Sequence, residues 1–277
     1  MQNDFNLLDI CYNALLGREP DDSAKVNWAA SDKGASSLYN LLSSIASSPE
    51  FSTRQKEARK LRRVGDLDEF FNEQSQFGEV GRLIRQMVNE SASQKMVVDI
   101  GANGRERSNS YDLLRYFGWQ GLLIEANSQR NHAIDTDFAG LNYRLVNCAI
   151  SDYEGEANFH LGINDDVSSL KEEVAVSWGP VRGTTTVVVR PLPSVLSEYA
   201  IPSNFDLLSI DAEGEDIRIL NDTIDKGYRP QWIIIEAVHN QGTSSLDALG
   251  FTELVLTTYK LVDSTVANLI LRCSNNA

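Results

Sequence analysis

From Met96 onward the chain alternates short apolar runs with amphipathic stretches, a pattern that restricts it to a parallel β-sheet covered by helices on both faces. Met96 to Ile100, Leu122 to Glu125, Tyr143 to Ile150, Leu207 to Ile210 and Trp232 to Glu236 read as five strands. A helix is expected from Glu215 to Gly227, with Gly227 and Pro230 marking its end. Thr252 to Thr257 and Val266 to Arg272 read as two closing strands. Their connection is short, so they must run antiparallel, because a parallel pair needs a long crossover. The expected fold is α/β: a Rossmann-like, mostly parallel seven-stranded sheet, preceded by a small all-α module. Five parallel strands closed by a hairpin suit a class I methyltransferase better than a dehydrogenase.

The preceding module is read from the first fifty residues. Phe5, Leu8, Tyr12, Leu15 and Leu16 lie three or four apart on one helix face, which stops at Gly17. Pro20, Asp21 and Asp22 then open a second helix, from which Trp28 packs inward. A third, from Ser36 to Ala46, carries Leu38, Leu41, Leu42 and Ile45 as its apolar stripe. The pattern Y-N-A-L-L-G-R-E-P-D, then a tryptophan, then S-S-P-E-F resembles a short bacterial domain of unknown function akin to phycobilisome-linker repeats. That resemblance implies an accessory module, through which glycosyltransferases are candidate partners. Arg54, Lys56, Arg59, Lys60, Arg62 and Arg63 form the chain's one basic cluster, read as the solvated face of a linker helix. The expected organisation is a helical module at 1–60, linker and lead-in helices at 61–95, and a catalytic domain at 96–277.

Charge and cysteine content narrow the function. With 25 Lys and Arg against 39 Asp and Glu the net charge is −14, so the average surface repels phosphate backbones, and nucleic acid is not an expected partner. Cys11, Cys148 and Cys273 are far apart and form no C-x-x-C pair, which fits neither a disulfide framework nor a zinc knuckle. No apolar run approaches the length of a membrane span. A cytoplasmic protein without an integral membrane segment is expected.

V-V-D-I-G-A-N-G at 97–104 runs from a strand straight into a small-residue loop. Gly101 and Gly104 let the backbone turn tightly and approach a ligand. Asp99, at the strand end, suits the ammonium of a methionine moiety and would repel a pyrophosphate. The loop also lacks the G-x-G-x-x-G spacing of a dinucleotide site, which favours S-adenosylmethionine over NAD. Glu125 ends the second strand, where a carboxylate can take both ribose hydroxyls. Ala149, Ile150 and Asp152 follow the third strand, where an adenine edge would lie.

Several separated motifs carry a more specific resemblance. S-Q-F-G-E at 75–79, D-I-G-A-N-G with Ser108 and Asn109, G-W-Q-G-L-L-I-E-A-N at 118–127, A-I-S-D-Y-E-G at 149–155, Ser168 to Leu170, D-L-L-S-I-D-A-E-G-E-D at 206–216 and I-I-I-E-A at 233–237 occur in one order. Together they resemble the FkbM family of methyltransferases from about Ser75 to Arg272. The resemblance implies S-adenosylmethionine as donor, with Gln76, Gly101, Asn103, Gly104 and Asn109 among the residues that hold it. It also implies O-methylation of a hydroxyl on a sugar, a glycan or a related natural product.

Such a hydroxyl is a weak acid, so a general base or a metal must help to remove its proton. Asp211, Glu213 and Glu215 surround Gly214 after the fourth strand, and Glu236 and His239 follow the fifth. Strand ends of an open α/β sheet share one ligand-binding face, so these residues should converge. His239 is the first choice as base, with Asp211, Glu213 and Glu236 beside it. Asp211 and Glu236 could instead hold a divalent cation such as Mg2+ through their oxygens. The insertion from Tyr153 to Pro193, with a hairpin-like segment at Ala157 to Leu161, is expected to shape the acceptor pocket. Trp178 and Tyr153 either stack on a sugar there or pack beneath the loop. A different class of function, a non-catalytic Rossmann-like scaffold that recruits glycan-modifying enzymes, is opposed by the intact cofactor residues.

Overall fold

The computed structural model of the chain describes residues 8, 11–12, 16, 19–31, 35–46, 48–51, 53, 74–87, 94–163, 167–177, 179–237 and 249–274. The basic cluster, Trp178 and His239 lie outside the described residues. The chain divides into two compact units, Met1–Asn72 and Glu73–Ala277. Among the described residues, no helix is long and apolar enough to cross a membrane.

In the first unit, α1 (Asp22–Ala29) starts where the Asp21 carboxylate accepts a hydrogen bond from the Ala24 amide at 2.9 Å, satisfying one of the free donors of a helix start. Trp28 on its inner side is buried. In α2 (Ala35–Ala46), Ile45 packs with Cys11 and Leu16 in a small apolar cluster that Leu41 also joins. Leu42, expected on the same stripe, is exposed instead. It stands one 100° step around the helix from Leu41, whereas Ile45 is one full turn from it.

The second unit holds ten strands among the described residues: β1 (Met96–Ile100), β2 (Gln120–Ile124), β3 (Tyr143–Val146), β4 (Ala149–Ser151), β5 (Gly155–Leu161), β6 (Gly183–Pro191), β7 (Leu207–Ile210), β8 (Trp232–Glu236), β9 (Tyr259–Ser264) and β10 (Asn268–Cys273). Seven of them form one sheet in the order β3-β2-β1-β7-β8-β10-β9. The first five are parallel, and β10 is antiparallel to both its neighbours. The central strands are buried along both faces because each face has its own helices. Met96, Val98 and Ile100 point into one core with α7 (Leu192–Glu198), α8 (Asp216–Asp225) and α9 (Glu253–Thr258). Val97 points into the other with α3 (Glu79–Met87), α4 (Tyr111–Phe117) and α5 (Asn131–Asp137). The same alternation runs through β7 and β8, where Leu208, Ile210, Ile233 and Ile235 face the first core and Leu207, Trp232 and Ile234 the second. Each such wholly buried aliphatic side chain contributes about 1.5–3 kcal/mol.

Two strand expectations are corrected. Thr252 to Thr257 is helical: Thr252 caps α9, its hydroxyl accepting from the Val255 amide at 3.4 Å, and the strand begins only at Tyr259. A short apolar run such as Leu254-Val255-Leu256 fits a capped helix of less than two turns as well as a buried strand, so periodicity alone does not decide. Tyr143 to Ile150 is also not one strand. Asn147 interrupts it, its side-chain amide donating to the carbonyls of Glu125 and Ala126 at 2.7 and 3.2 Å. Beyond that break β4 joins a second, three-stranded sheet in the order β4-β6-β5, which contains the expected segment Ala157 to Leu161.

Because the second unit has hydrophobic cores of its own, a chain reduced to residues 73–277 is expected to unfold in one cooperative transition. Thermal unfolding followed by circular dichroism checks this; a truncated chain lacking a transition would contradict it.

Candidate active site

The site lies at the carboxyl ends of β1, β2, β7 and β8. The chain leaves β1 toward β2 and β3 on one side of the sheet and returns to β7 on the other, so the order reverses beside β1, where open α/β sheets leave a crevice. Backbone contacts hold the crevice at its base. The Gly101 amide donates to the Ile124 carbonyl at 2.9 Å, and the Asp211 amide donates to that of Ile100 at 3.1 Å. Gly101 has φ +78°, and a Cβ there would lie 2.0 Å from the Asp211 carbonyl oxygen. Only glycine satisfies both requirements.

Above this base is a cavity of about 480 Å3. Asp99 reaches it from β1 and is only 4 % exposed. Its carboxylate accepts from the Ser110 hydroxyl at 2.6 Å, and Ser209 is its direct neighbour on β7. Burial pushes its carboxyl up to about 6, against the hydrogen bonds of Ser110 and Ser209. Glu125, just past β2, accepts from the Asn127 amide at 2.7 Å through one oxygen and from the Asn103 amide at 3.1 Å through the other. Burial raises its carboxyl, while those two amides and Arg130 pull it down. Ala149, Ile150, Phe159 and Leu170 give the cavity an apolar wall next to Glu125.

The same cavity also carries an acidic group. Carboxylate oxygens of Asp211, Glu213 and Glu236 all lie within 4.8 Å of one another. Their loop is tied down by Asp216, whose carboxylate accepts from the Ala212 and Gly214 amides at 2.8 and 2.9 Å. Ser169 and Lys171, just before the short helix α6 (Glu172–Ala175) between β5 and β6, donate to the carbonyls of Glu213 and Gly214 at 2.7 and 2.6 Å. Lys171 also pairs with buried Glu215 at 2.9 Å, and Ser151 donates to that carboxylate at 2.6 Å. Glu213 is held in left-handed backbone, φ +47°. Asp211 is raised well above the ordinary carboxylate range by desolvation and by Glu236, Glu213, Asp216 and Asp99. Its side chain is exposed, so the crowding of like charges outweighs desolvation. Glu236 is pushed up to about 7 by burial and by Asp216. Its Oε2 is buried and has no hydrogen-bond partner among the described residues.

The structure thus brings Gln76, Asp99, Gly101, Asn103, Asn109, Glu125, Ala149, Asp211, Glu213 and Glu236 around one cavity. Gly104 is not in the cavity lining; its amide is bonded to the Ala102 carbonyl, and a Cβ there would lie 3.2 Å from the Asp137 carboxylate. Asp152 does not reach the cavity. The chain turns outward after β4, leaving Asp152 beside Arg218 of α8 at 3.4 Å. Tyr153 is exposed and also outside the cavity lining. Sequence reasoning missed Ser209, Phe159, Phe77 and Val266, all of which line the cavity. Ser209 was detectable as the one polar residue in the apolar run L-L-S-I.

A Rossmann-like sheet closed by an antiparallel hairpin, with one acid at the carboxyl end of each of two adjacent parallel strands at the crevice, is the architecture of class I methyltransferases. The family model described as the methyltransferase FkbM domain matches residues 99–256, and the chain belongs to that family. No curated protein matches the chain by sequence. Among solved structures it is similar to an O-methyltransferase from Bacillus cereus in complex with SAH, with 12 % identity over 79 % of this chain and 90 % of that one and a TM-score of 0.43. It is also similar to the SAH-bound methyltransferase PaMTH1 of Podospora anserina, with 12 % identity, coverage of 79 % and 87 %, and a TM-score of 0.41. For a methyltransferase called yhhF from Escherichia coli, described as putative, the identity is 12 %, the coverage 73 % and 89 %, and the TM-score 0.38.

Gly101→Ala should cost more than about 4 kcal/mol of folding stability or prevent folding, since a methyl group there meets a backbone carbonyl and not a movable side chain. Denaturant unfolding measures it; a loss below about 1 kcal/mol would contradict the close approach of the two loops.

Proposed function

We propose that the chain transfers the methyl group of S-adenosylmethionine to a hydroxyl of a sugar, a glycan or a related natural product. The observation that carries this reading is that one cavity gathers Asp99 and Glu125, from β1 and the end of β2, with the close group of Asp211, Glu213 and Glu236 from the ends of β7 and β8. Asp99 suits the donor's ammonium, Glu125 has lone pairs left for the ribose hydroxyls, and the Ala149, Ile150, Phe159 and Leu170 wall suits the flat adenine. Gln76, Asn103 and Asn109 complete the donor side; Asn109 Oδ1 has no hydrogen-bond partner among the described residues and can accept from the ligand. The sulfonium then faces the acid cluster, and much of the acceleration comes from holding the acceptor oxygen in line with the methyl group.

Two routes remain for the acceptor proton. In the first, His239 is the base, with Glu236 as a carboxylate whose pKa already suits proton transfer near neutral pH. In the second, Asp211, Glu213 and Glu236 hold a divalent cation such as Mg2+. Three hard oxygen donors so close together fit it, and its charge would relieve the crowding that raises Asp211. Such an ion would lower the pKa of the hydroxyl. A cytoplasmic location accords with Cys11, Cys148 and Cys273, buried thiols that form no disulfide with one another.

Methyl-labelled donor, incubated with a panel of hydroxylated glycans, tests the function directly; label transferred to none, with donor bound, would overturn the acceptor class. S-adenosylhomocysteine should bind more tightly as pH rises from 5 to 7. Its ammonium favours ionised Asp99, so below about 6 binding must first remove a proton. Calorimetry should find this step absent in Asp99→Asn and affinity at pH 7 at least about tenfold weaker. Unchanged affinity in that variant would remove Asp99 from the site.

The two proton routes separate on one pair of measurements. If His239 is the base, His239→Ala lowers turnover by about a hundred- to ten-thousandfold, with donor affinity kept. If a cation acts, EDTA stops the reaction and Mg2+ restores it. Full activity in both experiments would exclude both routes.

A further inference from the structure

Glu79 is a completely buried carboxylate that neither donor recognition nor proton removal uses. It opens α3, and its two oxygens accept three hydrogen bonds. One comes from the Phe77 amide at 2.9 Å, just before the helix. The other two come from the Thr265 hydroxyl at 2.8 Å, in the turn after β9, and from the Asn268 side-chain amide at 2.9 Å, at the start of β10. That turn is itself closed by bonds between Thr265 and Asn268. Glu79 therefore ties two segments far apart in sequence, and each contributes to the cavity: Gln76 and Phe77 from one, Val266 and Ala267 from the other.

The segment before Glu79 is anchored at its other end as well. The Gln74 amide donates to the buried carboxylate of Asp112 in α4 at 2.7 Å. Between these anchors Ser75 forms a parallel bridge with Arg107, in the loop after β1. Residues 74–78 thus run as a strap along the cavity rim, fastened at each end to a buried carboxylate. Neither carboxylate lines the cavity. The rim residues Phe77 and Val266 are exposed apolar side chains, with little packing of their own to hold them.

We propose that Glu79 is a positioning residue: acting with Asp112, it holds the strap against the donor cavity and thereby sets how slowly the bound donor leaves. The proposal rests on the reading of this cavity as a donor site. A strap that is ordered before the ligand arrives costs little on binding and must be displaced for release, so its loss acts on the dissociation rate.

The test uses the full chain with S-adenosylhomocysteine as probe. Glu79→Gln replaces one acceptor oxygen by a donor at nearly constant volume, and Thr265→Val removes a single bond as a milder change. Stopped-flow binding should give a dissociation rate raised by about fivefold or more in Glu79→Gln and by less in Thr265→Val, with association within about twofold of the parent. Asp112→Ala should give the same signature. The double variant Glu79→Gln/Asp112→Ala should be little worse than either, because a strap released at one end is already released. Amide exchange in the liganded protein should rise at residues 74–78 and stay low in β1 and β7. Unchanged dissociation in every variant, or exchange raised equally throughout the sheet, would overturn the proposal while leaving the donor site standing. Failure of the parent chain to bind the probe would overturn the donor reading, and this inference with it.

Discussion

The site depends on one close backbone approach. The loops after β1 and β7 meet where the Gly101 Cα faces the Asp211 carbonyl, with no room for a side chain between them. Since β1 and β7 are also direct neighbours in the sheet, the contact fixes how far their two loops can part. Asp99 and Asp211, one from each of these strands' ends, line the same cavity. A wider crevice would separate the groups that must meet across a single methyl transfer, and in-line reactions lose much of their rate with small displacements. The glycine is thus what makes the distance between donor and acceptor a property of the backbone.

The acidic end holds like charges together against their repulsion. Asp211, Glu213 and Glu236 are crowded, and Asp216 adds a fourth carboxylate beneath them. Asp216 offsets that cost locally by accepting two backbone amides, and Lys171 places a cation on the Gly214 carbonyl and on Glu215. Lys171 follows β5 of the smaller sheet. The three-stranded insertion is therefore part of the site's support as well as one of its walls.

Much of this was legible in the sequence because the signals were long or chemically unusual. Uninterrupted apolar runs between amphipathic stretches specify buried parallel strands, and the five so read all exist, the third shortened at Asn147. Carboxylates at the ends of apolar strands stood out in the same way, so Asp99, Glu125, Asp211 and Glu236 could be named before any geometry was known. What escaped was decided by tertiary contact. A side-chain amide broke the third strand, and a threonine cap turned Thr252 to Thr257 into helix. Asp152 missed the cavity because the chain turned outward toward Arg218. Glu79 lay inside a motif recognised by resemblance, yet its partners are nearly two hundred residues away in sequence, where no local pattern can point to them.

The position of β10 has a consequence for how the molecule is made. It is the last strand of the described chain, yet it lies inside the large sheet, between β8 and β9. As the polypeptide emerges from the ribosome, β1, β2, β3, β7 and β8 are all available before it, and β8 must wait with one unpaired edge. Asn268, the first residue of β10, also carries one of the bonds to Glu79, and neighbouring Ala267 lines the cavity. Completion of the sheet and completion of the pocket thus coincide, so that a nascent chain acquires a finished ligand site only after its aggregation-prone edge has been covered.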